Sequence, residues 1–369
     1  PRTSMGQLMY QFSTLLEDPC IRWYAAAMDA GPGSGILGIT LADDSIEAKN
    51  PSLLPSTRYF PGVGLVSMHT ALGKADEDVH FLFHSDPYGA ISHAHADQNA
   101  FTLEAYGEAL AIASGYYPWY GSLHHKNWQW HSKSSNTITI NGGVGQRIRS
   151  PESKGEIVSF SSGEWFDYCL GDASAAYAPR LDRAERHVLH LRPGMFVIVD
   201  DLSAPEPVTF EWQLHSLSKM DIHEAQNELT IKQGDARCRV SFVVPEELRL
   251  TQTDQFPDPP EDDHPNQWHT TAAVQTANRT MRFITVLCPY RAGDRESLPR
   301  IDYREGNDAS GLHVRKGGVE YLIGFRTDSK QIDSSVSELS STSPVYAVRL
   351  EGDDIAVFSS DGGEVHFRE

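Results

Sequence analysis

The sequence predicts a mainly β chain in which a large antiparallel β-sandwich follows a short helical segment. From Arg58 onward, short runs rich in β-branched and aromatic residues alternate with turn residues, a pattern that is typical of sandwich strands. The turn Asn141-Gly142-Gly143 directly follows one such run and is a hairpin signal. Ahead of this region, apolar residues at helical spacing indicate an amphipathic helix; they are Leu8, Met9, Phe12, Leu15 and Leu16.

The sequence divides into three expected segments. Residues 1–35 are expected to form helices that are interrupted at Asp18-Pro19 and end at Gly31-Pro32-Gly33, because proline and glycine terminate helices. Residues 36–56 are polar and contain prolines, which favours a connector, and residues 57–369 are expected to form the sandwich. The chain begins at Pro1 without an initiator Met. We therefore interpret the helices as the last ones of a preceding helical domain and expect further functional groups upstream.

The individual strands of the sandwich follow from runs bounded by turn residues. They are predicted at 59–72, 79–84, 100–106, 109–113, 135–140, 155–160, 183–191, 195–201, 208–215, 229–232, 238–244, 269–274, 281–287, 312–315, 319–325, 345–350 and 355–359. A hairpin is expected about Gly107-Glu108, and the alternation of Thr and Ile predicts that 135–140 is half-buried. Residues 255–265 are rich in Asp and Pro and are expected to be a mobile loop.

Composition excludes several functional classes. The net charge is −19, which argues against a nucleic-acid partner because phosphate binding requires a basic surface. A polyanionic substrate then requires a local basic cleft. No apolar run is long enough to cross a bilayer. The four cysteines are far apart, without metal-binding spacing or a disulfide framework, and are expected to be free or at most sparsely paired.

The densest polar run of the chain is the candidate functional site. His93 and His95 stand two residues apart, so on a strand both imidazoles would point the same way, as a metal site or a paired acid/base site requires. Asp97, Gln98 and Asn99 follow directly. The alternative interpretation is a hydrogen-bonded turn in which Asp97 and Asn99 satisfy backbone groups.

An aromatic cluster follows the histidines. Tyr116, Tyr117, Trp119 and Tyr120 suit a wall on which sugars stack, or a tyrosine that donates a proton. The alternative is a packed loop.

A polar segment comes next. His124-His125-Lys126-Asn127 suits the binding of an anionic group, and the alternative is a solvated face. Four further basic residues, Arg183, Arg186, His187 and Arg192, flank a predicted strand pair that ends at Asp200-Asp201. For these residues we favour a structural role in ion pairs.

These motifs together resemble the heparinase II/III-like polysaccharide lyases. The resemblance rests on Ser-His-Ala-His-Ala-Asp-Gln-Asn-Ala-Phe at 92–101, Ala-Tyr-Gly-Glu at 105–108, Ser-Gly-Tyr-Tyr-Pro-Trp-Tyr-Gly-Ser at 114–122, His-His-Lys-Asn-Trp at 124–128 and the segment 136–146. It covers residues 55–215 most strongly and is nearest to the branch of oligoalginate lyases and exo-acting heparin lyases. The resemblance is specific for the superfamily but not for a substrate.

The resemblance implies an (α/α) toroid followed by antiparallel β-sheets, with the active site between them. The implied reaction is β-elimination at a uronic acid, and one histidine and one tyrosine of the machinery would come from the toroid, outside this chain. Within the chain, His93 matches the family's active-site histidine, and Tyr120 is the second expected catalytic residue. The expected substrate-binding residues are Asn99, Tyr116, Tyr117, Trp119, His124, His125, Lys126 and Asn127.

Heparinase II-like members bind zinc, and His95 matches one of their ligands. The other two ligand positions are Ala113 and Ser135, so we expect this zinc site to be absent and commit to no cofactor. His95 is the remaining metal-ligand candidate, and it would otherwise bond within the sheet.

The sequence thus favours a lyase that cleaves alginate or a heparin-like glycosaminoglycan, with part of the active site upstream. The alternative is a non-catalytic carbohydrate-binding or structural module. A third interpretation is a metalloenzyme that uses His93, His95 and another histidine. Expected partners are an anionic polysaccharide or oligosaccharide and the preceding helical domain, without nucleic acid or a membrane span; oligomer formation is left open. The expected location is the periplasm or exterior of a bacterial cell.

Overall fold

The computed structural model describes residues 2–306, 308–326 and 334–367. The chain forms two compact units. One comprises residues 1–56 with 71–78, and the other comprises 57–70 with 79–369. The first unit is helical and the second consists mainly of antiparallel strands, as the sequence predicts.

The first unit contains α1 (Arg2–Leu16), α2 (Pro19–Ala27), α3 (Gly35–Thr40) and a 3-10 turn at Pro51–Leu53. The predicted interruption is confirmed: the Asp18 carboxylate accepts the backbone N–H groups of Cys20 and Ile21 and caps α2. Helix α3 was not predicted and lies at the start of the expected connector over 36–56. It has only six residues, too few for helical periodicity to be recognised in the sequence.

A buried arginine joins α1 to α2. The Nε atom of Arg22 donates to Ser13 Oγ at 2.7 Å, one terminal nitrogen donates to the Asp43 carbonyl at 2.7 Å, and the guanidinium lies 3.7 Å from the ring centre of Tyr10. These contacts satisfy the buried charge.

The second unit contains the strands. In chain order they are β1 (Thr57–Phe60), β2 (Leu65–His69), β3 (Val79–His84), β4 (Ala100–Ala105), β5 (Glu108–Ala111), β6 (Ile138–Ile140), β7 (Glu156–Ser162), β8 (Phe166–Asp172), β9 (Arg183–Leu191), β10 (Met195–Val208), β11 (Phe210–Ser216), β12 (Asp221–His223), β13 (Glu228–Gln233), β14 (Ala236–Val244), β15 (Leu248–Thr253), β16 (Trp268–Val274), β17 (Asn278–Arg291), β18 (Arg300–Glu305), β19 (Ala309–Lys316), β20 (Val319–Arg326), β21 (Ser334–Val336), β22 (Leu339–Ser341), β23 (Val345–Glu351), β24 (Asp354–Ser359) and β25 (Val365–Phe367). The short helical pieces are a π-helical turn at His125–Gln129, α4 (Ser174–Tyr177), and 3-10 turns at Ser132–Ser134, Glu224–Gln226 and Arg295–Ser297.

Within the described residues these strands form five sheets. Their orders are β1-β2-β3-β4-β5, β12-β13-β14-β17-β10-β9-β8-β7, β15-β16-β11-β6, β18-β19-β20-β23-β24 and β21-β22-β25. The eight-stranded sheet is central, because β10 is buried on both faces. Phe196 and Ile198 belong to one hydrophobic cluster, whereas Val197 and Val199 belong to another. Successive residues of a strand face opposite sides, so this alternation confirms the predicted sandwich.

Several predicted boundaries require correction. The predicted strand 59–72 is a hairpin of β1 and β2, in which Phe60 pairs with Leu65. The turn between β4 and β5 is Tyr106-Gly107, with φ of 57° and 82°, and not Gly107-Glu108. Strand β6 covers only Ile138–Ile140, and all three residues are buried where half-burial was expected. Strands β8, β12, β15, β18, β21, β22 and β25 were not predicted; β18, for example, reads Arg-Ile-Asp-Tyr-Arg-Glu and lacks a β-branched run.

A buried ion pair inside the sandwich positions the candidate site. Arg186 donates through Nε to Asp200 at 2.6 Å, and Trp212 donates to the same carboxylate at 2.9 Å. One terminal nitrogen of Arg186 also donates to the carbonyls of Asn99 and Asn136, each at 2.8 Å. The arginine therefore fixes two points of the motif region from the core, in agreement with its predicted structural role.

The remaining basic residues of that group are also paired. Arg183 bonds to Glu185, His187 lies 3.6 Å from Asp201, and Arg192 lies 2.9 Å from Asp167. The four cysteines are free. Among the described residues, no helix has the length and apolar character that a membrane crossing requires.

Candidate functional site

The histidine motif lies in the long connection between β3 and β4, residues 85–99, and not on a strand. Ala96 donates its backbone N–H to the carbonyl of Trp130 at 3.1 Å, and Ser92 and Asn99 adopt left-handed φ values of 55° and 62°. The premise that both imidazoles point the same way on a strand is therefore wrong. The backbone instead forms hydrogen-bonded turns, as in the alternative interpretation. In this conformation His93 is exposed and His95 is half-buried.

The structure brings His93 together with the aromatic cluster. The Tyr117 hydroxyl lies 2.9 Å from Nδ1 of His93. The ring centre of Tyr120 lies 4.8 Å from that of His93, and among the described residues the Tyr120 hydroxyl has no hydrogen-bond partner. Tyr117 and Tyr120 are 47% and 45% exposed. Three groups capable of proton transfer or hydrogen bonding thus share one accessible surface, which we call the His93 wall.

His125 lies beneath the His93 wall and supports it. It is fully buried, and its ring packs 4.7 Å from Tyr117 and 5.5 Å from Tyr120. Its Nδ1 accepts the Gly121 N–H at 2.9 Å, so Nε2 carries the hydrogen. Burial lowers the pKa of His125, and the neighbouring His95 acts in the same direction. His125 is therefore a neutral packing residue that no ligand reaches directly in this structure, and its expected role in substrate binding stays a prediction.

Three other predicted binding residues hold the loop between β15 and β16. His124 is fully buried; its Nδ1 donates to the carbonyl of Asp258 at 2.7 Å and its Nε2 accepts the Tyr116 N–H at 3.2 Å. The Tyr116 hydroxyl donates to the carbonyl of Pro265 at 2.7 Å, and Asn127 donates to the Asp258 carboxylate at 2.7 Å. The segment expected to be a mobile loop is a loop, but it is attached to the candidate site. The polar groups of Tyr116, His124 and Asn127 therefore already form hydrogen bonds within the protein.

Asn99 also has a structural position. It is 5% exposed, and its side-chain nitrogen donates to the carbonyls of Gly171 and Ala184 at 3.0 and 3.1 Å. Both bonds engage the Asn99 side chain within the protein, and its expected role in substrate binding stays a prediction. By contrast, Trp119 is 53% exposed and Lys126 is exposed, and within the described residues no carboxylate pairs with Lys126. These two side chains remain available to a ligand beside His93.

Beside the motif, the imidazole of His84 lies between the carboxylates of Asp86 and Asp97. Nε2 of His84 lies 2.6 Å from Asp86, and its Nδ1 lies 3.7 Å from Asp97. Burial disfavours the charged imidazolium of His84, but these two carboxylates outweigh burial and raise its pKa. Burial lowers the pKa of His95, against the opposing charge of Asp97.

The residues at the family's zinc positions do not fit a zinc ion. Ala113 has no ligand atom, and Ser135 is buried and offers only a hydroxyl, whereas zinc ligands are histidine, cysteine and carboxylates. Within the described part of the chain, three side chains lie close enough together to share a metal ion, and they are Glu185, His187 and Asp201. His95 is not among them. There the Arg282 guanidinium donates to both Asp201 oxygens, at 2.6 and 2.7 Å, and supplies the positive charge itself.

Sequence reasoning missed one pair that fixes the histidine motif. Gln98 donates its backbone N–H to the side chain of Gln146 at 2.9 Å, and Gln146 donates back to the Gln98 carbonyl at 2.8 Å. Both residues lay inside the motif region, yet an amide in a polar run gives no indication of its partner. The attachment of Asp258 to the site was missed for the same reason, because 131 residues separate it from Asn127.

The comparisons with known proteins agree with this architecture. The family model described as "Heparinase II/III-like, C-terminal" matches residues 54–293. The chain therefore belongs to the heparinase II/III-like family through its C-terminal domain. No curated protein sequence matches the chain.

Solved structures resemble it at low identity. The heparan sulfate lyase HepC from Pedobacter heparinus is 15% identical with a TM-score of 0.69, and the match covers 90% of this chain and 49% of that one. The BT4657 gene product, a heparinase III, is 14% identical with a TM-score of 0.66, covering 91% of this chain and 47% of that one. At such identities the likeness establishes the fold. The chain spans about half the length of these relatives.

Proposed function

We propose that this chain is the β-sandwich part of a polysaccharide lyase that cleaves a uronic-acid-containing polymer by β-elimination. The observation that carries the proposal is the 2.9 Å contact between Tyr117 and His93 beside the unpaired hydroxyl of Tyr120. Family membership and the heparinase relatives support the reaction class. The substrate is alginate or a heparin-like glycosaminoglycan, and the protein acts in the periplasm or outside a bacterial cell.

His93 stabilises the negative charge that develops on the uronate. Removal of the C5 proton places additional charge on the carboxylate, and preorganised donors lower the barrier by stabilising that charge. When the Tyr117 hydroxyl donates to Nδ1, the hydrogen of the neutral imidazole resides on Nε2. Nε2–H then donates to the uronate carboxylate, and Tyr117 holds the ring in this tautomer and orientation.

Tyr120 is the group that exchanges a proton with substrate. A positioned side chain that transfers a proton in the transition state contributes about 10²–10⁴-fold to the rate. The ring of Tyr120 packs on His93 and on buried His125, whereas its hydroxyl is not committed to another protein group among the described residues. It protonates the leaving glycosidic oxygen, and a helical domain ahead of this chain supplies the remaining groups.

The proposal is tested by comparing variants of the longest protein that contains this chain. His93→Ala and Tyr120→Phe are each expected to reduce formation of the ultraviolet-absorbing unsaturated product by at least about 100-fold, on alginate and on heparan-type chains. His366→Ala is the matched control, because that histidine is 68% exposed on β25. Unchanged rates in both site variants would refute the residue assignment.

A non-catalytic module is the competing function, favoured by the use of Tyr116, His124 and Asn127 to hold a loop. If the longer protein binds these polymers and yields no unsaturated product, the module is supported and the lyase is rejected.

A further inference from the structure

A second concave surface lies over the sheet β15-β16-β11-β6. It encloses about 710 Å³, within the roughly 300–1,000 Å³ range of small-molecule sites. Its lining includes Lys133, Arg249, Thr251, Gln213, Thr271 and Phe256, and none of these residues belongs to the His93 wall. We call this surface the Lys133 groove.

The floor of the Lys133 groove is a row of uncharged polar side chains. Thr251 pairs with Thr271 across β15 and β16, and Thr271 pairs with Gln213 across β16 and β11. The Thr271 hydroxyl donates to Gln213 at 2.9 Å. Directly opposed residues in adjacent strands share one face, so the hydroxyls of Thr251 and Thr271 lie on the same side, above Gln213, which is buried and donates to Thr139 at 2.7 Å. Such groups match the hydroxyls of a sugar ring.

Two cations border this floor. Among the described residues, no carboxylate lies within ion-pair distance of Lys133 or Arg249. Glu211 also lines the groove, but its carboxylate already accepts the N–H groups of Gly142 and Gly143 at 2.6 and 2.8 Å. The charged side chains of the lining are therefore two cations and one anion, a net charge of +1 in a chain of net charge −19. It favours an anionic occupant over a neutral one.

The aromatic side chain of Phe256 lines the Lys133 groove. Phe256 is half-buried, and its ring centre lies 4.7 Å from His124 and 5.5 Å from Trp128. It belongs to the loop that His124 and Asn127 attach. The loop that lines the groove through Phe256 is thus bonded to residues that follow the His93 wall in sequence, and the two surfaces share no lining residue.

From these observations we propose that the Lys133 groove is a second saccharide-binding site, for an anionic oligosaccharide of the same chemistry as the polymer that is cleaved. Lys133 and Arg249 bind a carboxylate or sulfate, Thr251 and Thr271 bind ring hydroxyls, and Phe256 packs against a sugar face. Gln213 holds Thr271 in place, because its amide is bonded to Thr271 and Thr139. That the sugar is a uronate rests on the proposed function; the existence of the site rests on the groove alone.

The test is direct binding, measured by calorimetry on the protein carrying His93→Ala, in which cleavage during the titration is strongly reduced. The probe is an alginate hexasaccharide, with a neutral gluco-oligosaccharide of equal length as the comparison. The double variant Lys133→Ala/Arg249→Ala is expected to weaken alginate binding by at least tenfold at low salt. Lys154→Ala/Arg304→Ala, which removes two exposed cations elsewhere, is the matched control and is expected to bind as the parent does.

A milder variant, Lys133→Gln, keeps the test valid if the double variant does not fold. Equal binding by parent and groove variants, or equal binding of the neutral oligosaccharide, would overturn the proposal. Heparan-type hexasaccharide in a parallel titration distinguishes a carboxylate from a sulfate preference. The groove proposal fails if calorimetry shows no loss of binding in the groove variants, whereas the lyase proposal fails if no unsaturated product forms. The two failures are therefore distinguishable.

Discussion

The Tyr117 hydroxyl lies 2.9 Å from Nδ1 of His93, and both side chains are exposed. The two residues are 24 positions apart and come from separate loops, so the contact depends on the fold. It determines which imidazole nitrogen faces a ligand.

Removing the Tyr117 hydroxyl is expected to impair catalysis without unfolding the protein. Tyr117→Phe keeps the ring that packs on His125 but removes a hydrogen bond whose net worth is about 1 kcal/mol. We expect kcat to fall about tenfold, with KM changed much less, and the thermal transition to stay in place. Tyr88→Phe, which removes a hydroxyl that bonds to the Gly62 carbonyl, is the control. A rise in KM alone, with kcat unchanged, would contradict the positioning role of Tyr117.

Breaking the buried ion pair is expected to destabilise the fold. Arg186 and Asp200 have side-chain exposures of 1% and 2%. Arg186→Met leaves the Asp200 charge buried without its partner, which costs about 3–5 kcal/mol. Urea unfolding monitored by fluorescence measures the change in free energy of unfolding.

The control for that experiment is the exposed pair of Arg279 and Glu206, whose side chains are 60% and 78% exposed. Arg279→Met is expected to cost less than about 1 kcal/mol. Equal costs for the two variants would mean that the Arg186 network does not hold the motif region.

Acid is expected to weaken the fold through a buried histidine. Burial lowers the pKa of His269 from 6.5 to about 4, so the unfolded chain binds a proton between these values that the folded chain does not. Stability therefore falls as the pH decreases from about 6.5 to about 4 and is unaffected above that window. His215, which is fully buried, has its pKa lowered in the same direction.

His269→Gln is expected to flatten the slope of unfolding free energy against pH in that window. Asp201, whose pKa is held below its usual range against burial by His187 and Arg282, contributes only at lower pH. His366→Gln, a change at an exposed histidine, should leave the slope as it is. An unchanged slope in His269→Gln would contradict the assignment.

Removing the His124 side chain is expected to release the loop between β15 and β16. His124→Ala removes the bonds to Asp258 and Tyr116, and limited proteolysis should then cut the loop faster than in the parent. Hydrogen exchange measured by mass spectrometry should rise in residues 254–266 and not in β10. His264→Ala, which alters only the stacking on Tyr116, is the milder comparison. Unchanged cleavage in His124→Ala would show that these bonds do not hold the loop.

The fold class was predictable because strand composition repeats along most of the chain. Strand β9 was predicted with its observed bounds, Arg183–Leu191, since its apolar and turn residues are locally sufficient. Strand β18 was not, because four of its six residues are charged and its strand conformation depends on pairing with β19.

The sequence singled out the region of the candidate site but did not distinguish exposed from buried residues within it. Nothing local distinguishes His93, which is exposed, from His124, which is buried and bonded to Asp258. Both are histidines in polar runs, and their difference arises from a loop more than 130 residues away. A role that depends on such distant contacts is not encoded in the spacing of a motif.

Arg186 contacts two carbonyls that belong to different motif segments, those of Asn99 and Asn136. A single side chain on the central sheet therefore sets the spacing between the end of the histidine turn and the start of β6. The two segments are consequently not independent units. If either loop is transplanted into another sandwich, it keeps its geometry only if the recipient has a buried arginine at the position equivalent to Arg186. Trp119, which is 53% exposed and has no part in the proposed reaction, lacks this dependence and is the natural position for redesigning specificity.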